Sequence, residues 1–204
     1  MYLAICGNIG SGKTTLAKKL GDHYKWNVAF EAVDQNPYLA DFYEDMAKWS
    51  FHLQVYFLNN RFGQVKKIQE GNISTIQDRT IYEDAYIFAA NLYKSKFLNE
   101  RDYETYLTLF NSMIQHVHPP DLLVYLKADM PKLVSQIQKR GRDYENAIRL
   151  DYLKNLDEHY TDWIGSYKLG KLLIVDVNNM DFLANPEDFS NIVERIDAQV
   201  HGLF

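Results

Sequence analysis

The chain has 204 residues, 47% hydrophobic and 24% charged, the balance of a soluble globular protein that can bury one sizeable core. Its formal charge is −5, and its 22 Lys and Arg are scattered rather than gathered into a stripe, which argues against a nucleic-acid or membrane-surface partner and for a small one. A single cysteine, Cys6, excludes an internal disulfide. No run is apolar enough to span a membrane, and Met1 leads into a short apolar run without the pattern of a signal peptide; a cytoplasmic protein with one domain over residues 1–204 is expected.

Short apolar runs rich in β-branched residues alternate with longer helical patterns, which predicts parallel strands joined by crossover helices. Strands are expected at residues 2–6, 28–30, 74–77, 122–126 and 172–175. Helices are expected to begin near Lys13, Tyr38, Ala47, Glu83, Arg101, Pro131, Arg149 and Pro186, with Asp129 placed to cap the one that opens at Met130 and Pro131. The predicted class is α/β, a parallel sheet of about five strands flanked by helices. Cys6 falls within the first strand and reads as a small core residue.

Between the first strand and the first helix, Gly7-Asn8-Ile9-Gly10-Ser11-Gly12-Lys13-Thr14 satisfies G-x-x-x-x-G-K-[ST] at every fixed position. Glycines let the backbone curl so that successive N–H groups face phosphate oxygens, and the helix N-terminus adds positive potential. Lys13 supplies a charge for the terminal phosphates, and Thr14 is the expected magnesium ligand. The guanine-reading Asn-Lys-x-Asp is absent, so ATP is expected over GTP.

Phosphoryl transfer also needs positioning, neutralisation of the moving charge and a group to take the acceptor's proton. Glu31 follows the second strand, at the carboxyl edge where open parallel sheets place ligands; it reads either as a general base or as a cap of the next turn. Asp78-Arg79 follows the third strand. Asp78 can face magnesium and Arg79 can steady the acceptor oxygen or the phosphates, unless the two form only a surface ion pair. Lys139-Arg140-Gly141-Arg142-Asp143-Tyr144-Glu145 ends a helix with a glycine between two arginines. The segment, about residues 139–147, reads as a lid that closes over the triphosphate, or as the basic end many helices carry for dipole reasons.

Together the phosphate loop, Glu31-Ala32-Val33, the run Asp78-Arg79-Thr80-Ile81-Tyr82-Glu83-Asp84 and Arg140-Gly141-Arg142 resemble the deoxyribonucleoside kinase family, from Met1 to roughly Phe182. The resemblance implies a P-loop kinase fold, a homodimer pairing the helices around residues 47–70 and 83–94, and transfer from ATP with Mg2+ to the 5′-hydroxyl of a deoxynucleoside. It makes Glu31 the base, Arg79 its neighbour and Asp78 a magnesium-facing group. Tyr43 and Glu145 match the pair that holds the sugar 3′-hydroxyl. Gln54 matches the amide that reads the base, Arg61 and Asp84 a charged pair near it, and Phe88 the ring that stacks on it. Phe42, Leu53 and Phe88 are also what a core wall would show by periodicity alone.

This chain departs from the family in having Ala32 for proline, Asp78 for glutamate, and Gln136 where some members carry a lid arginine, which leaves Lys139 to supply charge. Asp181-Phe182 resembles the loop that holds the adenine of ATP, shifted by about a residue. Asp84 beside Arg61 resembles members acting on purine deoxynucleosides or deoxycytidine, so deoxyadenosine is the expected acceptor, with deoxyguanosine or deoxycytidine as alternatives. A nucleoside monophosphate kinase would need arginines for the acceptor's phosphate, and the chain has seven in all.

Overall fold

The computed structural model describes residues 1–31, 36–142 and 148–202. Five parallel strands, β1 (Tyr2–Gly7), β2 (Asn27–Ala29), β3 (Thr75–Asp78), β4 (Leu122–Lys127) and β5 (Lys171–Asp176), form one sheet in the order β2-β3-β1-β4-β5. β1 is central, with Ile5 opposite Asp78 on one side and Val124 on the other. Its side chains alternate between two cores: Tyr2, Ala4 and Cys6 face one layer, Leu3 and Ile5 the other. Burial on both faces explains why β1 and β4 read as continuous apolar runs rather than alternating ones.

Helices α1 (Lys13–Tyr24), α7 (Met130–Arg140) and α9 (Pro186–His201) contribute to the core on the Leu3 and Ile5 face. On the other face lie α2 (Leu39–Glu44), α3 (Met46–Glu70), α4 (Ile81–Glu83), α5 (Ala90–Lys94), α6 (Glu100–Ile114) and α8 (Leu150–Ser166). α4 and α5 are joined by a π-helical segment, Asp84–Ala89, which the sequence pattern did not predict; such turns are rare and cluster at functional sites. The expected strands all form, with ends differing by a residue: β2 stops at Ala29 and β3 runs on to Asp78. The helix expected near Glu83 starts earlier, because Thr80 accepts the Glu83 N–H and Glu83 returns a bond to the Thr80 N–H. Asp129 precedes α7 but makes no side-chain cap; its own N–H donates to Asn178 Oδ1 instead.

α3 carries the pattern that matters most for function. Its buried stripe is Ser50, Leu53, Gln54, Leu58, Arg61 and Val65, a helical spacing in which polar side chains interrupt an apolar face. Buried polar groups need partners, and Arg61 and Gln54 face the carboxyl edge of the sheet.

Candidate active site

The chain leaves β1 at Gly7 and wraps residues 7–14 around the start of α1. Gly12 takes φ 93°, and a Cβ there would lie 2.8 Å from Phe182 Cζ; at Gly10 a Cβ would meet the Leu133 carbonyl at 2.7 Å. The glycines are therefore required by close packing as well as by the left-handed backbone. Lys13 Nζ donates to the Gly7 and Asn8 carbonyls at 2.8 and 3.0 Å. Burial, reinforced by Arg79, pulls its pKa down to about 8 against Asp78, Glu83 and Glu31.

β3 delivers Asp78 and Arg79 to the same edge. Thr14 Oγ1 donates to Asp78 Oδ2 at 2.5 Å, while Asp78 Oδ1 is buried with no hydrogen-bond partner among the described residues. A hydroxyl and a carboxylate with a spare oxygen are the hard donors that suit magnesium. Arg79 adopts φ 73°, a backbone conformation uncommon for a non-glycine residue. Its Nε lies 3.1 Å from Glu31 Oε1 and its guanidinium carbon sits 4.2 Å above the centre of the Phe88 ring.

Glu31 receives a second cation on the same oxygen, Arg61 Nη2 at 3.0 Å. Burial acts to raise its carboxyl pKa, but Arg79, Arg61 and Lys13 outweigh that and hold it below the ordinary value. Arg61 also donates from Nε to Asp84 Oδ2 at 3.2 Å and from Nη1 to the Asp78 carbonyl at 3.1 Å. Asp84 differs from Glu31: burial pushes its pKa up to about 6, although Arg61 and Arg79 oppose the rise.

These groups surround a cavity of about 350 Å³. Ile9, Gly10, Lys13 and Thr14 line its phosphate-loop side, with Glu31, Asp78 and Arg79 at the sheet edge. Phe42, Tyr43, Leu53, Gln54, Phe57, Asp84 and Phe88 form the far wall, and Arg140 and Arg142 close in from the end of α7. Gln54 Oε1 is buried without a hydrogen-bond partner among the described residues, an acceptor aimed at a ligand-sized space. Arg140 and Arg142, on either side of Gly141 (φ 65°), also border a second cleft over the phosphate loop with Gln136 and Lys139.

Two residues named by the resemblance lie away from the open cavity. Arg61 forms the expected pair with Asp84; its bonds to Glu31, Asp84 and the Asp78 carbonyl hold it behind the wall as a brace. Phe182 is buried against Gly12 at the edge of a small cleft of about 60 Å³ beside the phosphate loop, with its carbonyl accepting from Lys19 Nζ. Glu145 and most of the segment expected to form a lid lie outside the described residues. Tyr152, Leu39 and Phe30 line the cavity without having been singled out. Tyr152 falls in the inward stripe of α8 with Leu153, Leu156 and Tyr160, so its spacing reads only as core.

A phosphate loop at the switch point of a parallel sheet, facing a carboxylate and an arginine across a nucleoside-sized cavity, is the arrangement of a P-loop kinase. A family model described as "Deoxynucleoside kinase" matches residues 3–201. The chain is 36% identical over 201 residues to a deoxyadenosine/deoxycytidine kinase of Bacillus subtilis (strain 168), covering 98% of this chain and 93% of that one. It is 38% identical over 193 residues to a deoxyadenosine kinase of Dictyostelium discoideum, covering 95% and 78%. Among solved structures, a deoxyadenosine kinase from M. mycoides, described with products dCMP and a flexible dCDP bound, superposes with a TM-score of 0.87. That match is 28% identical and covers 97% of this chain and all of the other. The chain belongs to the deoxynucleoside kinase family and is a kinase.

Proposed function

We propose that the chain transfers the γ-phosphoryl group of ATP to the 5′-hydroxyl of a deoxyribonucleoside, deoxyadenosine foremost. The observation that carries this reading is one cavity in which Lys13 and Thr14 of the phosphate loop face Glu31 and Arg79 at the sheet edge, with an apolar, amide-bearing wall beyond. The phosphates lie on residues 7–14, where Asn8, Ser11 and their neighbours shape the loop. Thr14 and Asp78 hold magnesium, which when bound neutralises phosphate charge. Glu31 takes the 5′-hydroxyl proton as the oxygen forms its bond to the γ-phosphorus and the bond to the bridging oxygen of ADP breaks. Arg79 orients Glu31 and the acceptor oxygen, while Arg140 and Arg142, in a lid over about residues 139–147, add positive charge as it closes. Tyr43 and Glu145 hold the sugar, Phe88 stacks on the base, and Phe42 and Leu53 enclose it.

Gln54 offers a donor and an acceptor side by side, which suits the edge of adenine or cytosine. Deoxycytidine or deoxyguanosine as the main acceptor is the second reading, favoured by the names of the relatives, which divide among deoxyadenosine, deoxycytidine and deoxyguanosine kinases. A homodimer is part of the proposal, supported by Tyr86 and Tyr93, which are 41% and 39% exposed on the segment spanning the π-turn and α5. So are a cytoplasmic location and the lack of a nucleic-acid or membrane partner, supported by scattered basic residues and by the absence, among the described residues, of a helix long and apolar enough to cross a membrane.

The test is initial-rate transfer from labelled ATP, with magnesium, to deoxyadenosine, deoxyguanosine, deoxycytidine, thymidine and AMP offered separately. Transfer to deoxyadenosine ahead of the others supports the proposal. Preference for another deoxynucleoside corrects the base, and transfer to AMP alone overturns the acceptor class.

A further inference from the structure

Glu83 has no part in the chemistry just described, yet it is a fully buried carboxylate next to that chemistry. As the third residue of a capping box it needs only one oxygen, Oε2, which accepts the Thr80 N–H at 2.6 Å. Its other oxygen leaves the helix. Oε1 accepts from the Gly7 N–H at 3.3 Å and from the Tyr160 hydroxyl of α8 at 2.7 Å. One side chain thereby joins the first residue of the phosphate loop, the turn that holds Arg79 in its left-handed conformation, and the helix that follows the lid segment. A second bond, from Asn8 Nδ2 to the Leu153 carbonyl at 3.1 Å, ties the loop to the same helix. Tyr160 is itself fully buried and stacked on Tyr125, so its hydroxyl is aimed by packing rather than by solvent.

We infer that Glu83 is a positioning residue for phosphoryl transfer: through Gly7, Thr80 and Tyr160 its carboxylate sets the phosphate loop in register with Arg79 and α8. This rests on the reading of the cavity as the transfer site. An ordinary cap would stabilise α4 and nothing else. A carboxylate whose bonds reach three segments determines how far the donor phosphates sit from the acceptor side, and rates are steep in that distance: about 1 Å of misplacement can cost about a hundredfold.

The test compares wild type, Glu83→Gln and Tyr160→Phe in kcat, in KM for ATP and for the preferred deoxynucleoside, and in melting temperature. Glu83→Gln keeps the shape but turns an amide donor toward N–H or O–H donors. Its kcat is expected to fall by about ten- to a hundredfold, with both KM values within about threefold, at a temperature where the variant is fully folded. Tyr160→Phe removes a single bond and is expected to lower kcat several-fold with the same KM pattern. It carries the test alone if Glu83→Gln does not fold. Wild-type kcat in the folded variants, whatever their melting temperatures, overturns the inference, as does a loss confined to KM. A wild-type protein that transfers nothing to any deoxynucleoside would instead remove the reading of the cavity, so the two failures are distinguishable.

Discussion

The phosphate loop takes its form from consecutive residues 7–14, whereas the opposite wall draws Glu31 from beyond β2, Gln54 and Phe57 from α3, Asp84 and Phe88 from the π-helical segment and Tyr152 from α8. The first region presents mainly backbone N–H groups, which any sequence obeying the glycine spacing provides. The second presents side chains whose positions depend on how four distant segments pack. Phosphate recognition is thus generic and local, while the choice of acceptor and the orientation of the base are specific and tertiary. Substitutions should separate the two.

The largest expected effect lies where the regions meet. Glu31→Gln should lower kcat by about 10² to 10⁴, the usual worth of a general base, while KM for the deoxynucleoside moves by no more than a few-fold. A kcat near wild type in steady-state assays would remove Glu31 from the base role. On the local side, Gly12→Ala places a Cβ 2.8 Å from Phe182 Cζ on a backbone at φ 93°, and ATP affinity measured by titration should drop sharply while deoxynucleoside binding persists. On the assembled side, Gln54→Ala should cost about 1–3 kcal/mol in kcat/KM for the preferred base, about five- to 150-fold, and leave KM for ATP unchanged. Equal losses for all acceptors would mean that the amide shapes the wall without reading the base.

The smallest effect is a difference in pH. Asp84, raised to about 6 by burial, loses its charge first as pH falls, and with it the pairing that braces Arg61. Glu31, held below its ordinary value by Arg79, Arg61 and Lys13, stays ionised further down. The acceptor's kcat/KM should therefore fall as pH drops through about 6 while kcat is still level, and the step should vanish in Asp84→Asn. Rate profiles in which both parameters fall together would argue that one carboxylate governs both.

This division also explains what could be read without the structure. Residues 7–14 declare themselves because the constraint and the residues that meet it are neighbours in the chain, and β1 and β4 stand out as apolar runs because both of their faces are buried. Gln54 and Arg61 were named by the family resemblance; the helical stripe in which they interrupt apolar residues marks them as special but not which way they point. Arg61 proved to be a brace because its donors are taken up by residues 17 to 30 positions away, a fact no local pattern contains. Tyr152 and Glu83 were hidden by the opposite difficulty: each fits an ordinary local role, a core tyrosine in one case and a helix cap in the other. The π-turn has no distinctive composition, since it substitutes one hydrogen-bond partner for another along the same backbone.

β2 is a three-residue edge strand that, among the described residues, pairs only with β3, at Asn27 to Ala29, and the Phe30 carbonyl just beyond it is held by Gln64. Cooperative units with few buried contacts open at lower free energy than the body of a fold. Glu31 rides at the end of such a unit, held there by Arg61 and Arg79, so the carboxylate proposed as proton acceptor is expected to come away before β1, β3 and β4 open. On gentle warming, turnover should fade before the helical signal does and return on cooling, making heat inactivation of this protein a local and reversible event that precedes melting.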